Sequence, residues 1–327
     1  MVAPPQEPDA QADDEEVDAA PWELAAERRE AIVSESLHGL RLDKVLVTLA
    51  PEFSRNHLQG LIEQGHVRLD EQVAGTASRK LRAGQHLAVD LVPTAQSLAF
   101  RPESMPLDVV FEDAELMVVD KPAGMVVHPA AGNWSGTLLN GLLAHHAGAL
   151  LLPRAGIVHR LDKDTSGLMV VGKTLATVGA LSRAIAAREV RREYLAIAHG
   201  LVTPTLRRIE LSIGRDPKSR VRMAAMASGK PARTDLECIA RGLGCSALRC
   251  RLHTGRTHQI RVHLSARGHP LVADALYGGT PILGLQRQAL HAVRLSFAHP
   301  SRGQAMQFEA APPPDFAEAW QAVVDAG

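Results

Sequence analysis

Residues 157–172, with the sequence IVHRLDKDTSGLMVVG, hold a dense group of side chains that could do chemistry. The polar part, residues 159–167, combines an imidazole, two cations, two carboxylates and two hydroxyls. A carboxylate such as Asp162 or Asp164 can act as a nucleophile that splits one difficult step into two. The alternative is a structural turn in which one of these aspartates bonds its own backbone.

The apolar run that follows, residues 168–171, indicates how this polar segment is positioned. Four apolar residues directly after a glycine are typical of a short buried strand. The polar residues are therefore expected on a loop that this strand holds in place, and reactive groups are commonly found on such loops.

A second dense stretch, residues 248–279, contains three histidines at a spacing of five: His253, His258 and His263. This spacing does not suit a metal site. On a helix, successive histidines would point about 140° apart, and on a strand an odd spacing places neighbours on opposite faces. We therefore expect no metal site here.

Amphipathic periodicity predicts the elements around these two stretches. Helices are expected at residues 42–49, 55–64, 175–185 and 316–324, the second and third capped by Ser54 and Thr174. Strands are expected at residues 66–69, 72–74, 86–90, 107–111, 116–119, 125–128, 168–171 and 191–198 and within residues 290–300, and residues 218–223 are expected at an exposed basic hairpin tip. Pro93, Pro102 and Pro106 indicate a linker between a small and a large domain.

Charge is distributed unevenly along the 327 residues, although the net charge is zero. The first 30 residues carry ten acidic side chains and two arginines, a balance of −8, so the rest of the chain carries +8. A basic body suits a polyanionic partner. The N-terminal segment is acidic, rich in proline and poor in apolar periodicity, so we expect a disordered acidic tail at residues 1–36.

The three cysteines and the hydropathy pattern limit the cellular setting. Cys238, Cys245 and Cys250 are few and odd in number and include no CxxC pair, which argues against a disulfide framework. The sequence has no apolar stretch long enough to span a membrane and no secretory signal. We expect a cytoplasmic protein with no membrane association.

The motifs resemble those of the RluA-type pseudouridine synthases. The resemblance covers residues 37–325 and rests on VVDKPAGMVVHP, HRLDKDTSGLMVV, EYLAIAHG, RTHQIRVHL and LHAVRLSFAHP. It implies an isomerase that breaks the glycosidic bond of a uridine, rotates the base and rejoins it through C5, with no cofactor. A carboxylate, a stacking tyrosine and a counter-ion would carry out this reaction.

The resemblance also implies a role for individual residues. Asp162, in HRLD, would be the nucleophile, and Arg261 would pair with it; Asp164 is the rival carboxylate, which we place outside the reacting group. Tyr194 would pack on the target base and take part in proton transfer from C5. The remaining assignments concern substrate binding: Arg160 fills the space left by the extruded base, Ile260 lines the base pocket, Lys121 with Pro122 shapes the floor, and His159 completes the set.

The segment at residues 37–97 resembles the S4 RNA-binding domain, through RLDKVL, SRNHLQGLIEQGHVRLD and LRAGQHLAV. The resemblance implies that its helix pair grips the RNA backbone, since phosphate contacts supply much of the affinity for RNA. The candidate residues are Arg41, Lys44, Arg55, Asn56 and Arg68. The alternative is an ordinary solvated basic face.

Together these observations predict an α+β protein. A small helix–helix–strand S4-like domain at residues 37–97 would precede a catalytic domain at residues 98–325, built on a mixed, mainly antiparallel sheet flanked by helices. The expected substrate is large-subunit ribosomal RNA or a precursor ribosomal particle, bound by a monomer. Three alternatives stay open: a synthase of the same family with other large-subunit target uridines, a non-catalytic RNA-binding or ribosome-assembly factor, and a metal-dependent nuclease, for which the histidine spacing is unsuited.

Overall fold

The computed structural model of the chain describes residues 27–92, 97–130, 132–219 and 221–327. The chain divides into two compact units between Ser97 and Leu98, where the sequence predicted a domain boundary. Most of the predicted acidic tail, residues 1–26, lies outside the described residues, as do the linker residue Pro93 and Arg220 of the basic hairpin tip.

The smaller unit packs two helices on a four-stranded antiparallel sheet with the strand order β1-β4-β2-β3. Its elements are β1 (Glu27–Ile32), α1 (Leu42–Leu49), α2 (Arg55–Glu63), β2 (Val67–Leu69), β3 (Gln72–Val73) and β4 (His86–Leu91). Both predicted helices are confirmed, and the Ser54 hydroxyl accepts the backbone N–H of His57 as an N-cap. The apolar faces of the helices meet the sheet in one buried core, which includes Leu46, Leu58 and Val89.

Strand β1 shows that the prediction of a disordered tail at residues 1–36 is wrong for residues 27–32. All six of its residues pair with β4, from Glu27 opposite Leu91 to Ile32 opposite His86. The strand buries little side-chain surface, so its sequence carries no apolar signal. Backbone pairing to β4 and charged side chains suit an edge strand. The Arg28–Glu30 ion pair, with an N–O distance of 2.7 Å, is one such exposed contact.

The larger unit is built on one mixed sheet with four helices. Its elements are β5 (Asp108–Glu112), β6 (Leu116–Lys121), α3 (Leu138–His145), β7 (Ser166–Gly172), α4 (Leu175–Ala186), β8 (Arg191–His199), β9 (Arg208–Glu210), β10 (Ile213–Arg215), β11 (Met223–Ala225), β12 (Arg233–Gly242), β13 (Cys245–Leu252), α5 (Gln259–Ala266), β14 (Leu290–Ala298), β15 (Ala305–Glu309) and α6 (Pro314–Asp325).

The strand order of this sheet is β5-β6-β7-β14-β8-β13-β12-β9, with β15 paired to β14. β7 and β14 run parallel, and the other neighbouring strands of this sheet run antiparallel. The predicted α+β class, with a mixed and mainly antiparallel sheet, is therefore confirmed. β10 and β11 form a separate two-stranded hairpin. Of the predicted basic tip, residues 218, 219, 221 and 222 lie between the two strands, and Met223 begins β11.

Helices cover both faces of the sheet. Apolar side chains of α3 and α5 join one core with alternate residues of the strands, including Met169 of β7 and Ala196 of β8. The intervening residues face α4 and α6 in two further cores. Every residue of β7 is buried, because both of its faces are covered. This arrangement accounts for the continuous apolar run in its sequence.

The predicted strand at residues 125–128 is wrong, because the backbone carbonyls there serve other partners. Val126 and Val127 accept the N–H groups of Leu138 and Leu139, which are otherwise unpaired donors at the start of α3. The carbonyl of Met125 accepts the ammonium of Lys121. The segment is therefore an irregular loop at the N-terminus of a helix that the sequence analysis did not predict. Of the helices in the described ranges, none has the length and hydrophobicity that a membrane crossing requires.

Candidate active site

The loop before β7 presents Asp162, and three side chains hold this loop in place. His159 accepts the backbone N–H of Val170 at 3.0 Å through Nε2, which ties the start of the loop to the strand. Lys121 donates to the Lys163 carbonyl at 3.0 Å, and Arg287 donates to the Asp164 carbonyl at 3.0 Å. These long-range contacts fix the backbone on both sides of Asp162.

Asp162 and Arg261 form the ion pair that the sequence analysis expected. Nη1 of Arg261 donates to Oδ2 of Asp162 at 3.0 Å, across 99 positions of sequence. The Asp162 side chain is 15% exposed, so it is accessible but largely shielded from water. Arg261 lies on α5, whose N-terminal end follows the TGRTH loop.

A second carboxylate, which the sequence analysis did not assign, orients Arg261. Asp274 is 1% exposed and accepts Nε and Nη2 of Arg261, both at 2.8 Å. Two parallel bonds of this kind fix the plane of a guanidinium, and they leave Nη1 for Asp162. Burial alone would lower the pKa of Arg261, but the hydrogen bonds to Asp274 and the charge of Asp162 raise it above its ordinary value.

His258 and Tyr277 lie beside this ion pair. The Tyr277 hydroxyl accepts the backbone N–H of Met223 at 2.9 Å and contacts Nδ1 of His258 at 2.8 Å. A hydroxyl that already accepts one bond can donate its own proton to Nδ1, which would leave the His258 proton on Nε2, 3.8 Å from Oδ1 of Asp162. Burial lowers the pKa of His258, so the ring is neutral near pH 7. The guanidinium carbon of Arg261 is 5.0 Å from the centre of the Tyr277 ring.

Asp162, Arg261, Tyr194 and Ile260 line a common cleft of about 410 Å³. Such a volume lies in the range of small-molecule sites in proteins. Tyr194 lies on β8, is 4% exposed, and faces the same side of the sheet as Ala196. Burial raises the pKa of Tyr194, so its phenol is protonated at neutral pH. Ile260 is the second residue of α5 and is 3% exposed.

The structure assigns different positions to the remaining predicted substrate contacts. Arg160 is exposed and lines the cleft next to Asp162. His159 also lines the cleft, but its Nε2 is used to hold the loop, and burial lowers its pKa to about 3. His159 is therefore neutral and acts on the position of the loop.

The prediction that Lys121 binds substrate is wrong. Lys121 is 1% exposed and is absent from the cleft wall. Its ammonium donates to the carbonyls of Pro122 at 2.7 Å, Met125 at 2.9 Å and Lys163 at 3.0 Å. Three bonds use all its protons. The side chain consequently shapes the site from behind, by joining the loop at residues 122–125 to the loop of Asp162.

In the smaller unit, two of the five predicted RNA-binding residues share one buried carboxylate. Asp43 is fully buried and accepts both Nε and Nη2 of Arg41 at 3.1 Å, and Nη2 of Arg55 at 2.7 Å. Both arginine side chains are nearly half exposed, so they are oriented and remain accessible. Lys44, Asn56 and Arg68 are exposed.

The three evenly spaced histidines have separate partners. His253 contacts Asp235 at 2.6 Å, His258 contacts Tyr277, and His263 lies between the Thr234 hydroxyl and the Leu211 carbonyl, at 2.9 and 3.0 Å. Within residues 27–92, 97–130, 132–219 and 221–327, no group of three or more His, Cys, Asp or Glu side chains is arranged to hold a metal ion.

One signal could have identified Tyr277. The chain contains two tyrosines, and this scarcity supported the assignment of Tyr194; the same reasoning applies to Tyr277, which lies in the dense stretch at residues 248–279. No comparable signal marks Asp274, because a single aspartate in a loop is common.

Comparison with known proteins identifies the family. Residues 115–266 match the family of RNA pseudouridylate synthases, and residues 40–87 match the S4 domain. Ribosomal large subunit pseudouridine synthase D of Neisseria meningitidis serogroup B is 49% identical over 292 residues, which cover 85% of this chain and 77% of the relative.

A second relative, the protein of the same name from Nitrosomonas europaea, is 45% identical, with 90% of this chain and 87% of the relative covered. Among solved structures, human RNA Pseudouridylate Synthase Domain Containing 1 is 29% identical with a TM-score of 0.53, covering 67% of this chain and 90% of that one. The chain belongs to the RNA pseudouridylate synthase family and carries an S4 domain.

Proposed function

We propose that this isomerase acts on uridines of large-subunit ribosomal RNA and that Asp162 is its nucleophile. The observation that carries the proposal is the carboxylate of Asp162, held 3.0 Å from the guanidinium of Arg261 on the wall of a cleft that Tyr194 also lines. The names of the relatives, which are 45% and 49% identical, support ribosomal RNA as the substrate and favour the D-type target set over the C-type set. The cytoplasm is the proposed place of action.

The reaction requires the target base to leave its stack, since the reacting atoms are otherwise inaccessible. In our proposal the extruded uridine enters the cleft beside Asp162, and Arg160 fills the space that the base leaves. Asp162 attacks the nucleotide as the bond between C1′ and N1 breaks. The base then rotates and bonds to C1′ through C5, and the bond to Asp162 is broken, which restores the free carboxylate. The proton on C5 must then be removed.

The protonation state of Tyr194 limits its role in the reaction. Its protonated phenol can stack on uracil, and it can accept the C5 proton only if its own proton moves elsewhere at the same time. The ion pair with Arg261 keeps Asp162 oriented, and the neutral ring of His258 adds no positive charge next to it.

The smaller unit is proposed to bind the RNA backbone through Arg41, Lys44, Arg55, Asn56 and Arg68. Asp43 holds the two guanidinium groups of Arg41 and Arg55 in fixed directions, which lowers the entropy lost when a phosphate binds. These contacts position the RNA and do not select a sequence.

The test is a comparison of Asp162→Asn with Asp164→Asn on large-subunit ribosomal RNA that lacks pseudouridine. The product is located by carbodiimide labelling and reverse transcription. Asp162→Asn should form no pseudouridine and bind RNA nearly as well as the wild type. Asp164→Asn is the matched control two residues away, and it should keep most of the activity, because the structure uses its backbone carbonyl in the bond from Arg287.

Pseudouridine formation by Asp162→Asn would refute the assignment of the nucleophile. RNA binding by the wild type without any product would instead indicate the non-catalytic factor that was the alternative reading of the sequence.

A further inference from the structure

Arg192 is a buried cation with no acidic partner in the described part of the chain. It lies on β8 and is 6% exposed. It takes part in none of the ion pairs formed among the described residues, and its Nε is a buried donor without an acceptor there. An isolated buried charge is strongly unfavourable, so its presence at this position calls for an explanation.

The guanidinium end of Arg192 lies at the wall of the catalytic cleft. Strand alternation places Arg192 on the same face of β8 as Tyr194, two residues further on and therefore about 7 Å away. Both residues line the cleft, as does Gly255 of the TGRTH loop. A Cβ atom at Gly255 would lie 2.8 Å from Nη1 of Arg192, so the glycine leaves room for the guanidinium.

The charge of the cleft wall favours an anion. Its lining includes six arginines and one carboxylate: Arg154, Arg160, Arg188, Arg192, Arg256, Arg261 and Asp162. The one carboxylate is already paired with Arg261. An anion that enters the cleft can therefore pair with Arg192 without competing against an acidic side chain.

We propose that Arg192 binds one of the two phosphodiester groups that flank the target uridine. The inference rests on the proposed function, because it takes RNA as the ligand of this cleft. A nucleotide whose base reaches Tyr194 brings its own phosphates within one nucleotide length, and a guanidinium matches the paired oxygens of a phosphate. Binding supplies the counter-ion that the free protein lacks at this position, and it sets the depth to which the nucleotide enters.

The test removes the charge from each partner in turn. A short RNA that contains one modified uridine is prepared with a neutral methylphosphonate at its 5′ or its 3′ phosphate. The wild type and Arg192→Gln are compared on these RNAs, by single-turnover pseudouridine formation and by binding in the Asp162→Asn background. Arg192→Gln should lose about 10- to 100-fold on the normal RNA, as expected for a hydrogen bond to a charged group. On the RNA that is neutral at the contacted phosphate, the rate and affinity of Arg192→Gln should equal those of the same variant on the normal RNA.

Two further variants separate this role from other effects. Gly255→Ala keeps the charge of Arg192 but displaces its guanidinium, so it should show the same pattern of loss. Arg188→Gln, an exposed arginine of the same cleft, should show a small loss that high salt removes and that adds to the methylphosphonate effect. The melting temperature of Arg192→Gln should equal or exceed that of the wild type, because an unpaired buried charge has been removed.

Additive losses for Arg192→Gln and both methylphosphonates would overturn the proposal, and so would a wild-type rate for Arg192→Gln. Failure of the proposed function is distinguishable, since it would appear as absence of product from the wild type on normal RNA. The binding measurement would still decide the role of Arg192 in that case.

Discussion

Replacing Asp274 should damage both the stability and the chemistry of the larger unit, although Asp274 is not in contact with the cleft. The carboxylate is 1% exposed and accepts two hydrogen bonds of 2.8 Å from Arg261, which is itself 6% exposed. In Asp274→Ala, Nε and Nη2 of Arg261 lose their acceptors inside the protein. Removal of one partner of a buried ion pair costs about 3–5 kcal/mol, so we expect a loss of this size in the free energy of unfolding.

The catalytic effect follows from the freedom that Arg261 gains. Without Asp274, the guanidinium can rotate and bind Asp162 through two nitrogens. This rotation moves the carboxylate and leaves less of its negative charge facing the substrate. A misplacement of about 1 Å can cost on the order of 100-fold in rate. We therefore expect kcat to fall by roughly this factor, while RNA affinity changes little because Asp274 does not itself line the cleft.

The assay combines urea unfolding with single-turnover pseudouridine formation at temperatures where each variant is folded. Asp274→Asn should be affected less than Asp274→Ala, since the amide oxygen can still accept one bond. Asp315→Ala is the matched control: Asp315 also accepts two bonds from one arginine, Arg287, but its side chain is 42% exposed. An exposed pair contributes about 0.2–1 kcal/mol. The reasoning fails if Asp274→Ala and Asp315→Ala lose equal stability, or if Asp274→Ala turns over normally.

Arg261→Ala should lower kcat more than it raises KM, because Asp162 loses its counter-ion. Steady-state kinetics on the substrate RNA measure both constants, and a normal kcat would contradict the importance of this ion pair. The hydrogen bond from Arg41 holds the pKa of Asp43 well below its usual range. This carboxylate therefore stabilises the smaller unit above about pH 4, and the effect is lost at lower pH. The difference in unfolding free energy between the wild type and Asp43→Asn should shrink on acidification. Burial lowers the pKa of Lys121 to about 8, so the folded chain binds fewer protons than the unfolded chain between about pH 8 and 10.5. The free energy of unfolding should therefore rise with pH in this range. Lys121→Met should lack this rise, and parallel pH profiles of the two proteins would contradict the prediction.

Local pattern was enough to predict the elements whose backbone partners are near in sequence. The helices α1, α2, α4 and α6 have apolar faces at helical spacing, and the caps Ser54 and Thr174 form as predicted. Strand β7 was predictable because a strand covered on both faces must be apolar throughout.

Partners that are distant in sequence account for the errors. Residues 125–128 have the composition of a strand, but their carbonyls cap α3 and bind Lys121. Residues 27–32 have the composition of a tail, but they pair with β4 along their whole length. Amino-acid composition indicates the environment of the side chains. In both segments the conformation is determined by hydrogen bonds of the backbone, which composition does not indicate.

The site was predictable to the extent that its motifs are contiguous. Asp162 and Arg261 are separated by 99 positions, and periodicity alone does not bring them together; the expectation of their contact came from resemblance to a family. Asp274 lies outside those motifs, and its role depends on the direction of one guanidinium, which the sequence does not encode locally. Lys121 lies within a motif, yet its contacts show that it supports the loop and does not touch the cleft.

The arrangement of Asp162, Arg261 and Asp274 also solves a problem that a simple ion pair would create. A nucleophilic carboxylate needs a cation to keep it charged and oriented, but a guanidinium that bound it through two nitrogens would occupy both oxygens. Asp274 takes two of the nitrogens, so Arg261 reaches Asp162 through one, and the three groups together keep a net negative charge. In the proposed function, the other arginines of the cleft can then attract the RNA without neutralising Asp162, the proposed nucleophile.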